Sequence, residues 1–488
     1  MDDFEEAFRA LTSSTLKHNA QTPQAVATLA EASRTQPDIR SRLANPDVLR
    51  SLVDIIKYSP GRQDFKTAVA ALKCVGNACI DNDSGRDAIC SIGFDWAKQY
   101  LEYTYLLTRR SDTSKSPSGD SVELASLTWL TAKVLYNICS DHPAAQLQCF
   151  EAELYLPLIT ICAWPKYYPN LDERSIVYDV LFWIAVQRTD HPPQVKKPLV
   201  YRDLDDLLTL ACCGDQDLED FATVMEIILT FLRDPDWQEF VITERRVSDV
   251  WNDTLVKVTT RLRKPEPEAQ ELLKPLVASF SWCLSDIAAH PGFVEEYRPN
   301  KGWVRETCPT ENGQEWIHTL LDIITTSGGP EECQLPQQSD AHLLAAGSQI
   351  LGNLLRALPA DDVAFLVEDR ALHAALWNIC LIQRYNTDEE VLHSVAGLLV
   401  QLTRPSTHIR ELIGSDKNAG ASLTMLCKHK TPQIKQDGTR LLRALGKDCP
   451  HNQERFAELA ESALASAQEA RPSTGTGSVE EITDGLNG

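Results

Sequence analysis

Residues 124–143 read LASLTWLTAKVLYNICSDHP, an apolar stretch with helical period that ends in a polar turn and a proline. Proline lacks a backbone N–H and clashes with the preceding helical turn, so it ends one helix and can begin the next. Prolines in corresponding places recur at Pro37, Pro143, Pro192, Pro235, Pro291, Pro359, Pro405 and Pro450. Most of these prolines are 43 to 56 residues apart. This spacing indicates a repeated helical unit.

A helical repeat of this period is typical of α-solenoids of the armadillo or HEAT type. We therefore predict an all-α fold, a right-handed superhelical α-solenoid of about nine repeats in residues 1–465. We expect polar insertions near 109–120, 298–314 and 325–340, and a disordered polar tail at 466–488. The third and most buried helix of each repeat is predicted at 24–33, 67–79, 124–139, 174–186, 221–232, 271–288, 341–358, 391–402 and 433–445.

The interval from Pro37 to Pro143 spans two repeats, and its midpoint is the sequence DNDSG at 81–85. This sequence superficially matches a calcium-binding loop. Its glycine comes one position early, and Ile92 stands where the bidentate glutamate belongs. We therefore predict a turn between two helices at 81–85.

The composition of the chain indicates which kinds of partner it can bind and in which compartment it functions. The chain has 69 acidic and 47 basic residues and a net charge of -22. This charge argues against nucleic acid and anionic membrane surfaces as partners and favours a basic partner, although acidity also serves solubility alone. The 14 cysteines lie mostly in apolar helical patterns without a CxxC pair, as in a reduced cytoplasmic protein. No uninterrupted apolar run reaches the roughly 18 residues of a membrane span, so we expect no integral membrane segment.

The sequence contains none of the motifs that carry common catalytic chemistry. A phosphate-binding glycine loop, a nucleophile elbow and a His-Glu-x-x-His zinc motif are all missing. The His-Pro pairs at His142, His191 and His290 occupy equivalent places in different repeats. Packed helix layers would hold these histidines about 10 Å apart, too far for a shared metal ion. We therefore predict no catalytic residue, no metal and no cofactor, and a protein that is not an enzyme.

Polar amides inside the predicted third helices are the candidate binding groups. Asn77, Asn137 and Asn353 occupy one repeat position, and Gln401, on the predicted third helix after that of Asn353, is included in the predicted partner surface. Asparagine is a poor helix-interior residue because its amide competes for backbone partners. A row of amides facing a groove can hold the backbone of an extended partner segment. The alternative is that each amide braces a neighbouring repeat internally.

Three stretches of the sequence resemble armadillo repeats of the smg GDS family, the small-GTPase dissociation stimulators. They are LKCVGNACID at 72–81 with GRDA at 85–88, HSVAGLLVQLTRP at 393–405, and TPQIK at 431–435 with LLRAL at 441–445. Gln401 stands where the family has asparagine, and residues from about 167 to 325 match poorly.

The resemblance implies a cytoplasmic, non-catalytic solenoid that acts as guanine-nucleotide exchange factor or chaperone. Its partners would be small GTPases of Ras or Rho type with polybasic, prenylated C-termini. An acidic groove would suit such a tail and speed its encounter. The alternative is an armadillo scaffold or adaptor, ataxin-10-like or other, with a different protein partner. Nuclear-import receptors pair tryptophan with asparagine four residues apart, a spacing that Trp129 and Trp183 do not show.

Overall fold

Every element of the protein that the structure describes is helical. The computed structural model describes residues 2–12, 22–58, 64–110, 119–163, 174–190, 201–212, 217–262, 267–297, 315–329 and 341–469. The chain divides into two compact units, Met1–Cys283 (unit 1) and Leu284–Gly488 (unit 2). The predicted all-α solenoid is confirmed.

The helices of unit 1 form groups, and the last helix of each group is long and apolar. Its helices are α1 (Asp2–Thr12), α2 (Thr22–Thr35), α3 (Pro37–Leu43), α4 (Pro46–Tyr58), α5 (Phe65–Cys79), α6 (Asp83–Ile92), α7 (Asp95–Arg110), α8 (Gly119–Cys139), α9 (Pro143–Glu151), α10 (Tyr155–Ala163), α11 (Arg174–Asp190), α12 (Tyr201–Leu210), α13 (Leu218–Leu232), α14 (Pro235–Thr243), α15 (Val247–Val250), α16 (Lys257–Leu262) and α17 (Pro267–Ala289). A π-helical stretch, Trp251–Val256, joins α15 to α16, and the end of α17 belongs to unit 2.

Unit 2 continues the pattern of a short first helix followed by two others, as in an armadillo repeat. Its helices are α18 (Pro291–Glu296), α19 (Glu315–Ser327), α20 (Ala341–Leu355), α21 (Ala360–Glu368), α22 (Leu372–Leu381), α23 (Glu389–Leu402), α24 (Thr407–Ser415), α25 (Ala419–Cys427), α26 (Pro432–Gly446), α27 (Pro450–Arg455) and α28 (Ala457–Glu469).

The third helices form the core of each unit. In unit 1, α2, α5, α8, α11 and α13 pack on one another in that order, and in unit 2, α20, α23 and α26 do the same. With α17, they overlap the nine helices predicted from the sequence, although α20 ends at Leu355 and not at residue 358. In α23, for example, the Asp388 carboxylate caps the first turn by accepting a hydrogen bond from the Val391 N–H at 3.1 Å. The apolar side chains of α23 are buried.

Prolines begin the first helix of several repeats, as predicted. Pro37, Pro143, Pro235, Pro291 and Pro450 are the first residues of α3, α9, α14, α18 and α27. The polar residue before the proline often caps the helix. His142 Nδ1 accepts from the Ala145 N–H and His290 Nδ1 from the Gly292 N–H, both at 3.2 Å. The third His-Pro histidine, His191, lies outside the described residues.

The turn predicted at 81–85 is shorter in the structure, because α6 already begins at Asp83. Asp81 has a φ of 50°, in the left-handed region that aspartate tolerates better than most residues. Asp141 and Asp448 take the same conformation, with φ of 53° and 52°, in the equivalent turns before α9 and α27. A side chain at Gly85 would meet the Ala78 carbonyl oxygen at 2.4 Å, so glycine allows α6 to approach α5 closely.

One hydrogen bond recurs at the junction between repeats. The fourth residue of a first helix sends its side-chain donor back to a carbonyl at the end of the preceding third helix. We call these residues the junction donors: Arg40 to Ser33 at 2.7 Å, Arg86 to Cys79 at 3.1 Å, Gln146 to Cys139 at 2.8 Å, Gln238 to Leu232 at 3.0 Å, Arg410 to Thr403 at 3.3 Å and Gln453 to Gly446 at 2.7 Å. The last carbonyls of a helix have no partner within it, and the junction donors supply one.

Several predicted boundaries differ from the structure. The insertion near 109–120 is shorter, because α7 continues to Arg110 and α8 begins at Gly119. The insertion near 325–340 begins later, because α19 continues to Ser327. Helix α28 runs to Glu469, four residues into the predicted disordered tail 466–488. Residues 111–118, 298–314, 330–340 and 470–488 lie outside the described residues.

Helix α17 is long and apolar enough to cross a membrane by length and composition, although it contains no uninterrupted apolar run of that length. Half of its most apolar window is buried inside the protein, and core helices of soluble proteins pass the same test. This one helix is weak evidence for a membrane span.

A junction donor can be tested by removing Arg86, which donates from Nε to the carbonyls of Cys79 and Asn137 at 3.1 Å each. We expect Arg86→Ala to lower the free energy of unfolding by about 2 kcal/mol, because one buried and one partly buried carbonyl lose a charged donor. Chemical denaturation measures this difference. The control is Arg50→Ala on the exposed face of α4, expected to change stability by less than about 0.5 kcal/mol. Equal stability of the two variants would contradict the role of the junction.

Candidate partner-binding groove

The third helices of unit 2 line a polar cleft of about 320 Å³, which we call the C-terminal groove. Asn353 on α20 and Gln401 on α23 both line it, and both are partly exposed. Among the described residues, neither side-chain amide forms a hydrogen bond. The structure therefore brings these two predicted residues together with their hydrogen-bonding groups available.

A third side-chain amide, that of Gln349, also lines the C-terminal groove. Its Nε2 donates to Ser394 Oγ at 2.9 Å, and its Oε1 accepts a hydrogen bond from Ser285 Oγ. The Ser394 hydroxyl in turn donates to the Glu390 carbonyl at 2.8 Å. Both the NH₂ group and the oxygen of the Gln349 side chain thus have internal partners. The side-chain amides of Asn353 and Gln401 have none among the described residues.

The charges of the C-terminal groove are balanced. Asp437 is almost buried and pairs with His393, whose Nδ1 lies 2.7 Å from the carboxylate Oδ2. Arg356 and Arg440 are exposed, and neither forms an ion pair within the described part of the chain. Asp286 supplies the second carboxylate of the lining. The net charge of -22 is therefore not concentrated here, and the expected acidic groove is not found at this place.

The predicted residues of unit 1 have internal partners. Asn77 Nδ2 donates to Ser33 Oγ on α2 at 2.9 Å, and Asn137 Nδ2 donates to the Gly76 carbonyl on α5 at 3.3 Å. Each bond ties one third helix to the preceding one, which is the bracing role considered as the alternative. Both amides remain partly exposed, so partner contact by Asn77 and Asn137 stays a prediction.

Helices α11 and α13 of unit 1 carry a group of carboxylates that the sequence reasoning did not single out. Burial, followed by the neighbouring carboxylates of Asp217, Asp179 and Glu219, raises the pKa of Asp220 to about 6. Burial also raises the pKa of Asp179. On the adjoining helices, the rings of Tyr136 and Trp183 lie 5.2 Å apart. Asp179 and Trp183 are thus one turn apart on α11.

Several buried cysteines of the described part of the chain are not activated thiols. Burial raises the pKa of the Cys74, Cys79 and Cys380 thiols to about 12, so these cysteines are protonated at neutral pH. The described cysteines are all free thiols. In the described part of the chain, no three His, Cys, Asp or Glu side chains are grouped to hold a metal ion.

The sequence matches no family model and no curated protein. Among solved structures, one from work on a phosphorylation switch between cadherin and beta-catenin is similar at 13% identity with a TM-score of 0.31, covering 91% of each chain. The crystal complex of SYS-1 and POP-1 is similar at 11% identity with a TM-score of 0.40, covering 97% of this chain and 91% of that one. At these scores neither likeness identifies a partner.

The two sets of amides should differ in their effect on stability. We expect Asn77→Ala to lower the free energy of unfolding by about 1 kcal/mol, because the bond to Ser33 is lost. Asn353→Ala removes no internal bond and should change stability by less than about 0.5 kcal/mol. Urea denaturation of both variants measures the contrast. A larger loss for Asn353→Ala would show that this amide is a structural brace.

The raised pKa of Asp220 predicts how the stability of the protein depends on pH. The folded chain binds this proton more readily than the unfolded chain, so the group favours folding more as pH falls from about 6 towards 4. We therefore expect Asp220→Asn to be more stable than the unmodified chain at pH 7, with a difference that shrinks below about pH 6. Thermal unfolding across this range measures it. Glu239→Gln, at an exposed position of α14, is the control and should show no such trend.

Proposed function

We propose that this chain is a non-catalytic binding solenoid whose C-terminal groove holds a protein partner. One observation carries the proposal: Asn353 and Gln401 lie on adjacent third helices, line the same cleft and have no internal hydrogen bond in the described structure. An amide offers both a donor and an acceptor, which matches the backbone of an extended segment. Each new hydrogen bond would contribute on the order of 1 kcal/mol.

The more specific proposal is that the partner is a small GTPase of Ras or Rho type, for which the chain acts as exchange factor or chaperone in the cytoplasm. It rests on the resemblance of residues 72–88, 393–405 and 431–445 to smg GDS repeats and on the net charge of -22. Exchange would follow from tighter binding to the nucleotide-free GTPase than to the nucleotide-bound form. This mechanism needs no covalent chemistry from the solenoid.

The C-terminal groove has no excess of negative charge to attract a polybasic, prenylated tail, because two arginines offset two carboxylates there. The carboxylates around Asp220 in unit 1 fit such a tail better. The balanced charge of the C-terminal groove favours the second candidate function, a scaffold or adaptor of the ataxin-10-like kind. Its partner would lie in the C-terminal groove without a basic tail.

The test is the double variant Asn353→Ala with Gln401→Ala. Its affinity is measured for a panel of purified small GTPases, each nucleotide-free and nucleotide-bound. We expect binding of the nucleotide-free form to weaken about tenfold or more, because two hydrogen bonds are lost, while the melting temperature stays the same. Gln383→Ala removes an exposed amide outside the groove and is the matched control.

The possible results separate the proposals. Unchanged binding by the double variant, with a lower melting temperature, would make the two amides internal braces and would remove the groove from the site. If no GTPase of the panel binds the unmodified chain, the small-GTPase proposal falls and the scaffold remains. Equal affinity for nucleotide-free and nucleotide-bound GTPase would exclude exchange but leave chaperoning.

A further inference from the structure

The C-terminal halves of α20, α23 and α26, with the residues directly after them, carry only positive charge. Residues 349–356, 395–404 and 438–447 contain five lysines and arginines and no aspartate or glutamate, in a chain with 69 acidic and 47 basic residues. Cations also stabilise the C-terminal end of a helix. The exposure and contacts of each cation therefore decide whether it is available to a partner.

The exposed charges of the C-terminal groove are more positive than its formal charge. The Asp437 side chain is only 10% exposed, and its carboxylate is paired with His393. Of the two carboxylates in the lining, only that of Asp286 is on an exposed residue. Arg356 and Arg440 are both exposed, and neither forms an ion pair within the described residues. The groove thus presents two guanidinium groups and one carboxylate to a partner.

A third cation lies beside Arg356. The Nη1 of Arg404 donates a hydrogen bond to the Leu355 carbonyl at 3.2 Å, which holds this guanidinium at the end of α20. Arg404 is exposed and forms no ion pair in the described part of the chain. A guanidinium has five N–H donors, so Arg404 keeps its charge and most of its donors for another acceptor. Arg356 and Arg404 together make this end of the groove electropositive.

Between the two arginines of the groove, the lining is open at Gly397. This glycine lies on α23, which packs between α20 and α26. A Cβ at Gly397 would meet no atom within 4 Å, although the residue lines the groove. Glycine inside a helix is less stable than alanine, so packing within the fold does not explain it. The missing side chain allows the backbone of a bound segment to approach α23 closely.

We propose that the segment held in the C-terminal groove is acidic, and that it crosses α23 over Gly397 with carboxylate side chains at Arg356 and Arg440. This inference rests on the proposed function, because the amides of Asn353 and Gln401 hold the backbone of the same segment. Pairs of arginine and carboxylate are strong, directional hydrogen bonds and distinguish an acidic partner from a basic one. The acidic remainder of the chain repels such a segment, so its attraction is confined to this groove.

The experiment selects binders of the full chain from a phage-displayed library of random dodecapeptides. We expect the enriched peptides to carry aspartate or glutamate at two or more positions. They should fail to bind the double variant Asn353→Ala with Gln401→Ala. Selection on Arg356→Glu with Arg440→Glu should enrich lysine or arginine at the same positions, because the charge of the groove is reversed.

Fluorescence anisotropy with the most enriched peptide measures the contribution of each group. We expect Arg356→Ala with Arg440→Ala to weaken binding about tenfold or more, and Gly397→Leu to do the same because its side chain fills the path of the segment. Arg370→Ala with Arg443→Ala removes two exposed arginines outside the groove and is the matched control. Its affinity should stay within about twofold of the unmodified chain. Thermal unfolding verifies that each variant is folded.

The outcomes separate this inference from the proposed function. Peptides that require Asn353 and Gln401 but are neutral or basic would overturn the acidic segment and leave the groove as the binding site. Peptides that bind the double amide variant equally well, or no enriched peptide at all, would overturn both. Unchanged affinity of Arg356→Ala with Arg440→Ala, together with a lower melting temperature, would show that these arginines only stabilise helix ends, and the inference would fail.

Discussion

The structure depends on how the chain satisfies the last carbonyls of each third helix. These helices are packed against their neighbours, so water cannot serve every carbonyl at their ends. At six junctions, a guanidinium or amide group on the first helix of the next repeat donates a hydrogen bond to one of these carbonyls. One side chain thereby fixes the turn and holds two consecutive repeats together. At these six junctions, the donor is always the fourth residue of the first helix.

The same constraint explains where binding groups are available. Polar side chains at the junctions and on several third helices already have partners, as Gln349 and Asn77 do. Within the described residues, the side-chain amides of Asn353 and Gln401 have no such partner, although they lie on equally regular helices. A solenoid can leave such groups unpaired because they border solvent, where water substitutes until a partner arrives. In our proposal, stability and partner binding therefore depend on different polar residues of the same repeat.

The sequence predicted the fold well, because proline, polar turns and helical periodicity are local signals. The nine third helices and the helix break before α6 were predicted from those signals alone. It did not predict the junction donors, although a visible pattern marks them: a helix-starting proline is followed three residues later by glutamine in PAAQ at 143–146 and PDWQ at 235–238. The start of α8 at Gly119 was missed because polar residues at 119–123 resemble a loop.

The candidate site was predicted only in part. Repeat position identified Asn77, Asn137, Asn353 and Gln401, but it could not show which amides find internal partners. That difference depends on side-chain geometry between helices about 50 residues apart in sequence. The net charge of the chain did not predict the charge of the groove, because it sums over all residues and does not say where the acidic residues lie. Arg356 and Arg440 lie in the groove, whereas carboxylates gather around Asp220 in unit 1.

The central claim is that unpaired amides of the C-terminal groove hold a partner's backbone. A structure of the full chain bound to the tightest-binding GTPase of the panel tests it most directly. We predict a partner segment across α20 and α23, with its backbone within about 3 Å of the Asn353 and Gln401 amides. A partner bound in a complex that leaves both amides exposed to solvent would contradict the claim.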